Sequence, residues 1–133
     1  MKIQVMKCRL MAAILLLGST TAYAGCPQNS LAGTWEIFIL KADSDSIALR
    51  SCSLNLANNG NISSGTCKTY EGPEASVSGD KISSSMDCSV TGAIVIDGVT
   101  YTISDGQINR NKFDMSGVGT TSTGLFTFNG VKK

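Results

Sequence analysis

The feature that most constrains this chain is a series of short segments in which apolar and polar residues alternate, separated by Asn-Gly and Asp-Gly pairs. Alternation with a period of two places one set of side chains on each face of a β-strand, and such pairs between runs are a strong hairpin signal. After residue 24, no stretch sustains the apolar spacing of an amphipathic helix. The sequence therefore predicts an all-β fold, built as an antiparallel meander.

The pattern predicts about eight strands. Asp97-Gly98 and Asp105-Gly106 are interpreted as two-residue loops, and the registers they set place the apolar residues of three successive strands on one face. A meander of this size removes its exposed edges by closing, which favours a small closed or nearly closed barrel over a two-sheet sandwich. Loops are predicted at 41–48 and 71–78. The alternating runs are 33–40, 50–58, 61–69, 81–90, 92–96, 99–104, 107–110, 112–120 and 125–132.

Residues 1–24 have the order of a secretory signal peptide. Basic residues precede the apolar run 10–17, and a short polar stretch then ends in small residues at Ala24. The apolar run is far shorter than the about 20 residues that span a bilayer. We therefore predict cleavage after Ala24 and a mature protein, 25–133, that is one all-β domain in the periplasm or the extracellular space. Lipid attachment at Cys26 is the less favoured alternative.

Four cysteines remain in residues 25–133, an even number that predicts two disulfides in an exported chain. If Asn59-Gly60 is a two-residue loop, opposed residues have numbers that add to 119, as those of Cys52 and Cys67 do. Such a pair lies about 5.5 Å apart between Cα atoms if it is hydrogen-bonded, and closer if it is not. We predict a Cys52–Cys67 disulfide and, by elimination, a Cys26–Cys88 disulfide.

Charge and composition exclude several functions. Removing the basic residues of 1–24 leaves 8 basic against 10 acidic residues, a net charge near −2, so we expect no nucleic-acid partner. The chain has no histidine, and the predicted disulfides use the thiols, which excludes Ser-His and Cys-His nucleophilic pairs. A carboxylate-dependent hydrolase is the less favoured alternative to a non-catalytic protein. The carboxylates available to it are chiefly Glu36, Glu71, Glu74, Asp87 and Asp114.

Neither a metal site nor another cofactor is expected. The cysteines lack the CxxC spacing of zinc sites. Asp43-Ser44-Asp45-Ser46 is similar to the opening of a calcium loop, but Ala48 stands where that loop needs glycine, and Leu54 stands where it needs glutamate. The segment is therefore interpreted as a polar loop.

The start of the first predicted strand, Gly33-Thr34-Trp35, resembles the Gly-x-Trp start of lipocalins and of avidin-like barrels. The resemblance implies a small β-barrel in which the tryptophan closes one end beneath a basic side chain from the last strand, which by position is Lys132. An avidin-type biotin site uses several tryptophans, and this chain has one. The pattern also resembles small exported bacterial proteins, which implies no activity.

The sequence leaves two non-catalytic functions open. In the first, the barrel binds a small apolar molecule or a protein, and inward side chains line or fill its interior. In the second, a surface- or envelope-associated module binds protein partners through its loops, chiefly 41–48 and 69–78. The volume of the interior distinguishes them, because a closed, dry interior excludes a ligand there. The predicted lining residues are Trp35, Ile37, Leu54, Met86, Tyr101, Phe113 and Phe126.

Overall fold

A computed structural model describes residues 25–69 and 72–133, so the predicted signal peptide lies outside the described residues. In the described part, a short 3-10 helix, Gln28–Leu31, precedes nine strands. The strands are β1 (Gly33–Asp43), β2 (Ile47–Leu56), β3 (Ile62–Thr69), β4 (Ala75–Gly79), β5 (Ser83–Ser84), β6 (Ser89–Ile96), β7 (Val99–Ile108), β8 (Asp114–Thr120) and β9 (Gly124–Lys132).

Eight of these strands form a closed antiparallel barrel. Neighbouring strands along the chain pair with each other, except that β4 pairs with β6 and not with β5. The pairing of β9 with β1 completes the ring. The two-residue strand β5 is an extra piece that pairs with the start of β6. The predictions of an all-β fold, of about eight strands and of a barrel are confirmed. A barrel of this size has an interior just wide enough for side chains to fill or for one small ligand.

Both predicted disulfides are present, Cys52–Cys67 and Cys26–Cys88. Cys52 lies directly opposite Cys67 across β2 and β3, with 4.0 Å between their Cα atoms. That distance is nearer the about 4.5 Å of non-hydrogen-bonded pairs than the 5.5 Å of hydrogen-bonded ones. The other bond joins the segment before the 3-10 helix to the residue before β6.

The hairpin registers were predicted well at one turn and less well at another. Asp97-Gly98 joins β6 to β7 and sets Ile94 opposite Tyr101, as predicted. At Asn59-Gly60 the turn is wider than two residues, because the amide of Ala57 donates to the carbonyl of Asn61. A register shift near the end of β2 absorbs the difference before the cysteine pair is reached.

The predicted turn at Asp105-Gly106 is wrong. β7 runs through it without a break to Ile108, and its register with β8 shifts between Ile103 and Asp105. Gly106 is needed for close approach of strands, since a Cβ there would lie 2.7 Å from the carbonyl oxygen of Val90. The glycine therefore lies just after a bulge, within a paired strand, and does not form a hairpin loop.

The predicted strand at 81–90 is also wrong, apart from its two ends. Cys88 has a φ of 68°, which no extended strand accommodates. The carboxylate of Asp87 accepts hydrogen bonds from the hydroxyl of Ser85 at 2.5 Å and from the hydroxyl of Ser89 at 2.7 Å. Serine and aspartate side chains thus stabilise a turn where the sequence pattern suggested alternation.

Parts of both predicted loops are strand. β1 and β2 extend into 41–48 and leave only residues 44–46 between them. The alternation was hidden there because Lys41 and Asp43 pair with each other at 3.2 Å on the inward side of β1. In 71–78, the short strand β4 contains a buried Val77 and closes the barrel. Val77 is flanked by serine and glycine, so the segment shows no alternation of apolar and polar residues that would predict a strand.

Candidate functional site

The end of the barrel beside the 3-10 helix is closed by Trp35. The side chain is fully buried, and its Nε1 donates to the carbonyl oxygen of Leu31 at 2.8 Å. The Nζ of Lys132 lies 5.2 Å from the centre of the Trp35 ring and donates to the carbonyl oxygen of Ser30 at 2.6 Å. Burial lowers the pKa of Lys132, and the charge of Lys112 lowers it further. This end therefore admits no ligand.

The interior is packed rather than hollow. Its remaining cavity measures about 30 Å³, whereas pockets for drug-sized ligands measure about 300–1,000 Å³. Two phenylalanine rings lie over inward glycines. A Cβ on Gly119 would lie 2.5 Å from Phe126, and one on Gly117 would lie 2.7 Å from Phe128. The glycines make room for rings that fill the barrel.

The residual cavity is lined by one residue with a polar side-chain atom, Tyr101. Tyr101 lines the cavity, and its hydroxyl is buried without a hydrogen-bond partner among the described residues. The other residues that line the cavity are aliphatic, methionine or phenylalanine. One hydroxyl is too few to hold a water molecule, which takes 2–4 polar partners.

The predicted lining residues divide into two groups. Ile37, Leu54, Tyr101 and Phe126 line the residual cavity, and Trp35 closes the end. The edge of one ring meets the other where Tyr101 packs on Phe126, with 5.2 Å between ring centres.

The predictions for Met86 and Phe113 are wrong. Met86 lies in the Ser85–Ser89 turn and is 65% exposed, and Phe113 precedes β8 and is 57% exposed. Phe113 follows Lys112, whose φ of 66° ends the extended backbone there. Both residues lie in turns rather than in the strands predicted there, so neither side chain points into the barrel.

Two of the candidate carboxylates, Glu36 and Asp87, are held in local contacts. Glu36 pairs with Lys133 at 2.8 Å, and this hydrogen bond lowers the pKa of Glu36. Hydrogen bonds from Ser85 and then Ser89 lower the pKa of Asp87 to about 2. These two carboxylates have lowered pKa values and so are poor candidates for a general base at neutral pH. Glu71 lies outside the described residues.

The candidate calcium segment is a tight hairpin tip. The carboxylate of Asp43 is occupied by Lys41 and by the hydroxyl of Thr123, which donates to it at 3.0 Å. Within residues 25–69 and 72–133, no group of three or more His, Cys, Asp or Glu residues is placed to hold a metal ion.

A large apolar surface on the outside of the barrel was not predicted. We call it the outer apolar face and define it by outward side chains on β1, β2, β8 and β9. Each is between 45% and 76% exposed. The sequence signal was present, because the hairpin of β1 and β2 has apolar residues on both of its faces. The face consists of Phe38, Leu40, Ile47, Leu49, Val118 and Leu125.

The strand registers make this face continuous. Leu49, Leu40, Thr127 and Val118 lie side by side in one row across β2, β1, β9 and β8. The next row, toward the β1–β2 hairpin tip, contains Ile47, Ala42, Leu125 and Thr120. Phe38 lies on the other side of Leu40 along β1. The exposed residues therefore form a single patch.

Comparison with known proteins supports the fold alone. No family model and no curated protein matches the chain. A solved structure described as a redesigned β-barrel is similar, with a TM-score of 0.57 and 13% sequence identity. The match covers 82% of this chain and 98% of that one. Among the described residues, no helix has the length and apolar character needed to cross a bilayer.

Proposed function

We propose that the protein is an exported, non-catalytic β-barrel module that binds a protein partner through the outer apolar face. The observation that carries the proposal is that the barrel interior is filled while the outer apolar face is exposed. A contiguous exposed apolar patch of this kind typically marks an interaction site. The outer apolar face is part of a hydrogen-bonded sheet, so its side chains are held in place before a partner binds.

The ligand-binding alternative has less support. A cavity of about 30 Å³ holds no molecule larger than water, so a ligand would have to displace Phe126 or Phe128 from beside the glycines that accommodate them. The alternative of binding through loops is also less supported. The tip between β1 and β2 is only residues 44–46. The 69–78 segment contributes β4 to the barrel wall, and the open cavity of about 360 Å³ beside residues 72–76 is lined mainly by polar side chains rather than apolar ones.

Two observations support the lipocalin-like part of the proposal. Trp35 of β1 lies beneath a basic side chain from the last strand, Lys132, which is the arrangement that the Gly-x-Trp resemblance implies. The 3-10 helix covers the same end of the barrel. In this proposal the barrel keeps a lipocalin-like closed end but has lost the space for a ligand.

Export is supported by the disulfides, which form in oxidising compartments. The Cys26–Cys88 bond also bears on lipid attachment. A diacylglyceryl thioether and a disulfide use the same sulfur of Cys26, so the two are mutually exclusive. We therefore propose a soluble exported protein that begins at Gly25, with the signal peptide 1–24 removed.

The proposal predicts that a charge on the outer apolar face releases the protein from a native complex. In extracts of its own compartment, the wild-type protein should elute from size exclusion as a species larger than the 25–133 monomer. Leu40→Glu should elute as the monomer, because an unpaired carboxylate is costly to bury in an apolar contact. Ser78→Glu, at an exposed position of β4 across the barrel, is the matched control and should elute like the wild type.

If all three proteins elute as monomers at their native concentration, the proposal is wrong. It is also wrong if Ser78→Glu dissociates the complex as fully as Leu40→Glu does. Circular dichroism of each variant checks that the barrel has formed.

A further inference from the structure

We propose that the partner on the outer apolar face is a second copy of this chain, packed about a two-fold axis that passes near Leu40. The inference rests on the proposed function, because it names the partner that binds the same face. Closed two-fold dimers are the commonest protein assemblies, and their contact joins one patch to the same patch on the other copy.

The position of Leu40 suits such an axis. Leu40 lies in the middle of the patch, with Leu49 beside it on β2 and Thr127 beside it on β9. Rotation about an axis at this point brings β1 and β9 of one copy against β1 and β9 of the other, with β2 and β8 at the edges of the contact, because the wall of a closed barrel curves away on both sides. Two sheets that pack face to face lie about 10 Å apart, with side chains from both copies interdigitating.

The charges around the patch allow it to pair with itself. The remaining positions of its two rows carry only alanine and threonine, and the next row, which contains Phe38, carries Ser51, Ser116 and Asn129. Lys41 and Asp43, on the same strand as Leu40, alternate to the inward side and pair with each other. The Glu36–Lys133 pair lies toward the Trp35 end, beyond Phe38. At the two edges of these strands, Lys68 lies opposite Ser51 and Asp105 lies opposite Val118, so the charges that flank the patch are of both signs.

The exposed apolar side chains supply part of the area that a dimer buries. From their exposed fractions, the six apolar side chains offer on the order of 600 Å², at the upper end of the about 300–600 Å² typical of the largest patch on a monomer. A standard interface buries about 800 Å² on each partner, including its polar rim. The threonine, serine and asparagine side chains around the patch supply that rim.

The surroundings of the face favour a second copy over a lipid surface. Surface-bound elements that insert an apolar face into anionic membranes carry lysine and arginine along its border. Beside the patch, the neighbouring strands carry one lysine, Lys68, and one aspartate, Asp105, rather than a basic border, and residues 25–133 have a net charge near −2. The uncharged rows of the patch fit a homodimer, whose interface is more apolar than that of transient complexes.

Sedimentation equilibrium of the processed protein, purified alone, tests the inference. The wild-type protein should sediment as a dimer at micromolar concentration. Leu40→Glu should raise the dimer dissociation constant by about 100-fold or more, because the axis places two uncompensated carboxylates together in an apolar contact. Ser78→Glu should leave the dissociation constant unchanged within about threefold, as expected for a residue outside the contact.

A cysteine at the axis provides a second readout that does not depend on tolerance of a charge. Leu40→Cys should form an intermolecular disulfide under mild oxidation, because the two copies meet at this residue, whereas Ser78→Cys should not. A purified wild-type protein that is monomeric at every concentration, with no cross-link through Leu40→Cys, overturns the dimer. Co-sedimentation of that monomer with phosphatidylglycerol vesicles, lost in Leu40→Glu, would assign the face to a membrane instead.

The two proposals fail in different ways. If the purified protein is monomeric while the complex in native extract still depends on Leu40, the dimer is wrong and the protein-binding function stands with another partner. If the purified protein dimerises but Leu40→Glu and Ser78→Glu behave alike, both proposals about this face are wrong.

Discussion

Replacing both Cys26 and Cys88 with alanine should lower the free energy of unfolding by about 4 kcal/mol in the chain-entropy model. The two cysteines are separated by 62 residues, so the bond restricts a long loop in the unfolded chain. It also holds the segment that leads into the 3-10 helix, which covers the closed end of the barrel. Since small domains are stable by only about 5–15 kcal/mol, the loss is severe. Urea unfolding monitored by tryptophan fluorescence measures it.

The other disulfide provides the matched comparison. Cys52 and Cys67 are separated by 15 residues, so replacing both with alanine should cost less, about 3 kcal/mol. These residues already face each other across a paired hairpin, and the sheet keeps them together after the bond is removed. A larger loss for the Cys52–Cys67 pair than for the Cys26–Cys88 pair would contradict this account of the two disulfides.

Trp35→Ala should lower the free energy of unfolding by about 4 kcal/mol, within the range for large buried aromatic residues. Trp35 is fully buried, and its loss leaves the carbonyl of Leu31 without its donor and removes the ring beneath Lys132. Trp35→Phe keeps much of the packing and should cost about half as much. Thermal unfolding monitored by circular dichroism compares the variants.

Phe113→Ala is the control for this prediction, because Phe113 is another aromatic residue near Lys132. The Nζ of Lys132 lies 6.0 Å from the centre of its ring, but the side chain is more than half exposed. We expect a change within about 0.5 kcal/mol, as for an ordinary surface position. Equal losses for Trp35→Ala and Phe113→Ala would mean that the barrel end is not closed by Trp35.

The parts of the fold that could be predicted are those fixed by local turn chemistry. The register through Asp97-Gly98 was correct to the residue, and the Cys52–Cys67 pairing followed from Asn59-Gly60 although that turn is wider than predicted. Hairpin loops determine which residues face each other, and the apolar pattern then allows only one register. These signals lie within a few residues of the pairs they determine.

The strand and turn predictions were wrong where a residue's role depends on contacts with residues distant in sequence. Gly106 looks like a turn residue but allows β6 and β7 to approach closely. Val77 alone marks β4, so a strand that closes the barrel has no period to detect. Met86 and Cys88 fit an alternating pattern by chance, since the hydrogen bonds of Asp87 place them in a turn. Such positions depend on neighbours far away in sequence or on side-chain capping.

The outer apolar face was missed for a different reason. Alternation assigns one face of a strand to the core, and the opposite face is assumed to be polar. Phe38 and Leu40 break that assumption on β1, and Ile47 and Leu49 break it on β2. Where both faces of an antiparallel hairpin carry apolar residues, the pattern alone does not tell which face belongs to the core. Closure of the barrel then decides which set faces inward, and only the folded structure shows it.

Native mass spectrometry of the processed protein, isolated from its own source without denaturation, tests the central claim most directly. The account predicts a mass equal to twice that of the 25–133 chain with two disulfides, with no small molecule or lipid attached. A monomer that retains a small apolar ligand in the barrel would contradict the account, because the filled interior leaves no space for one.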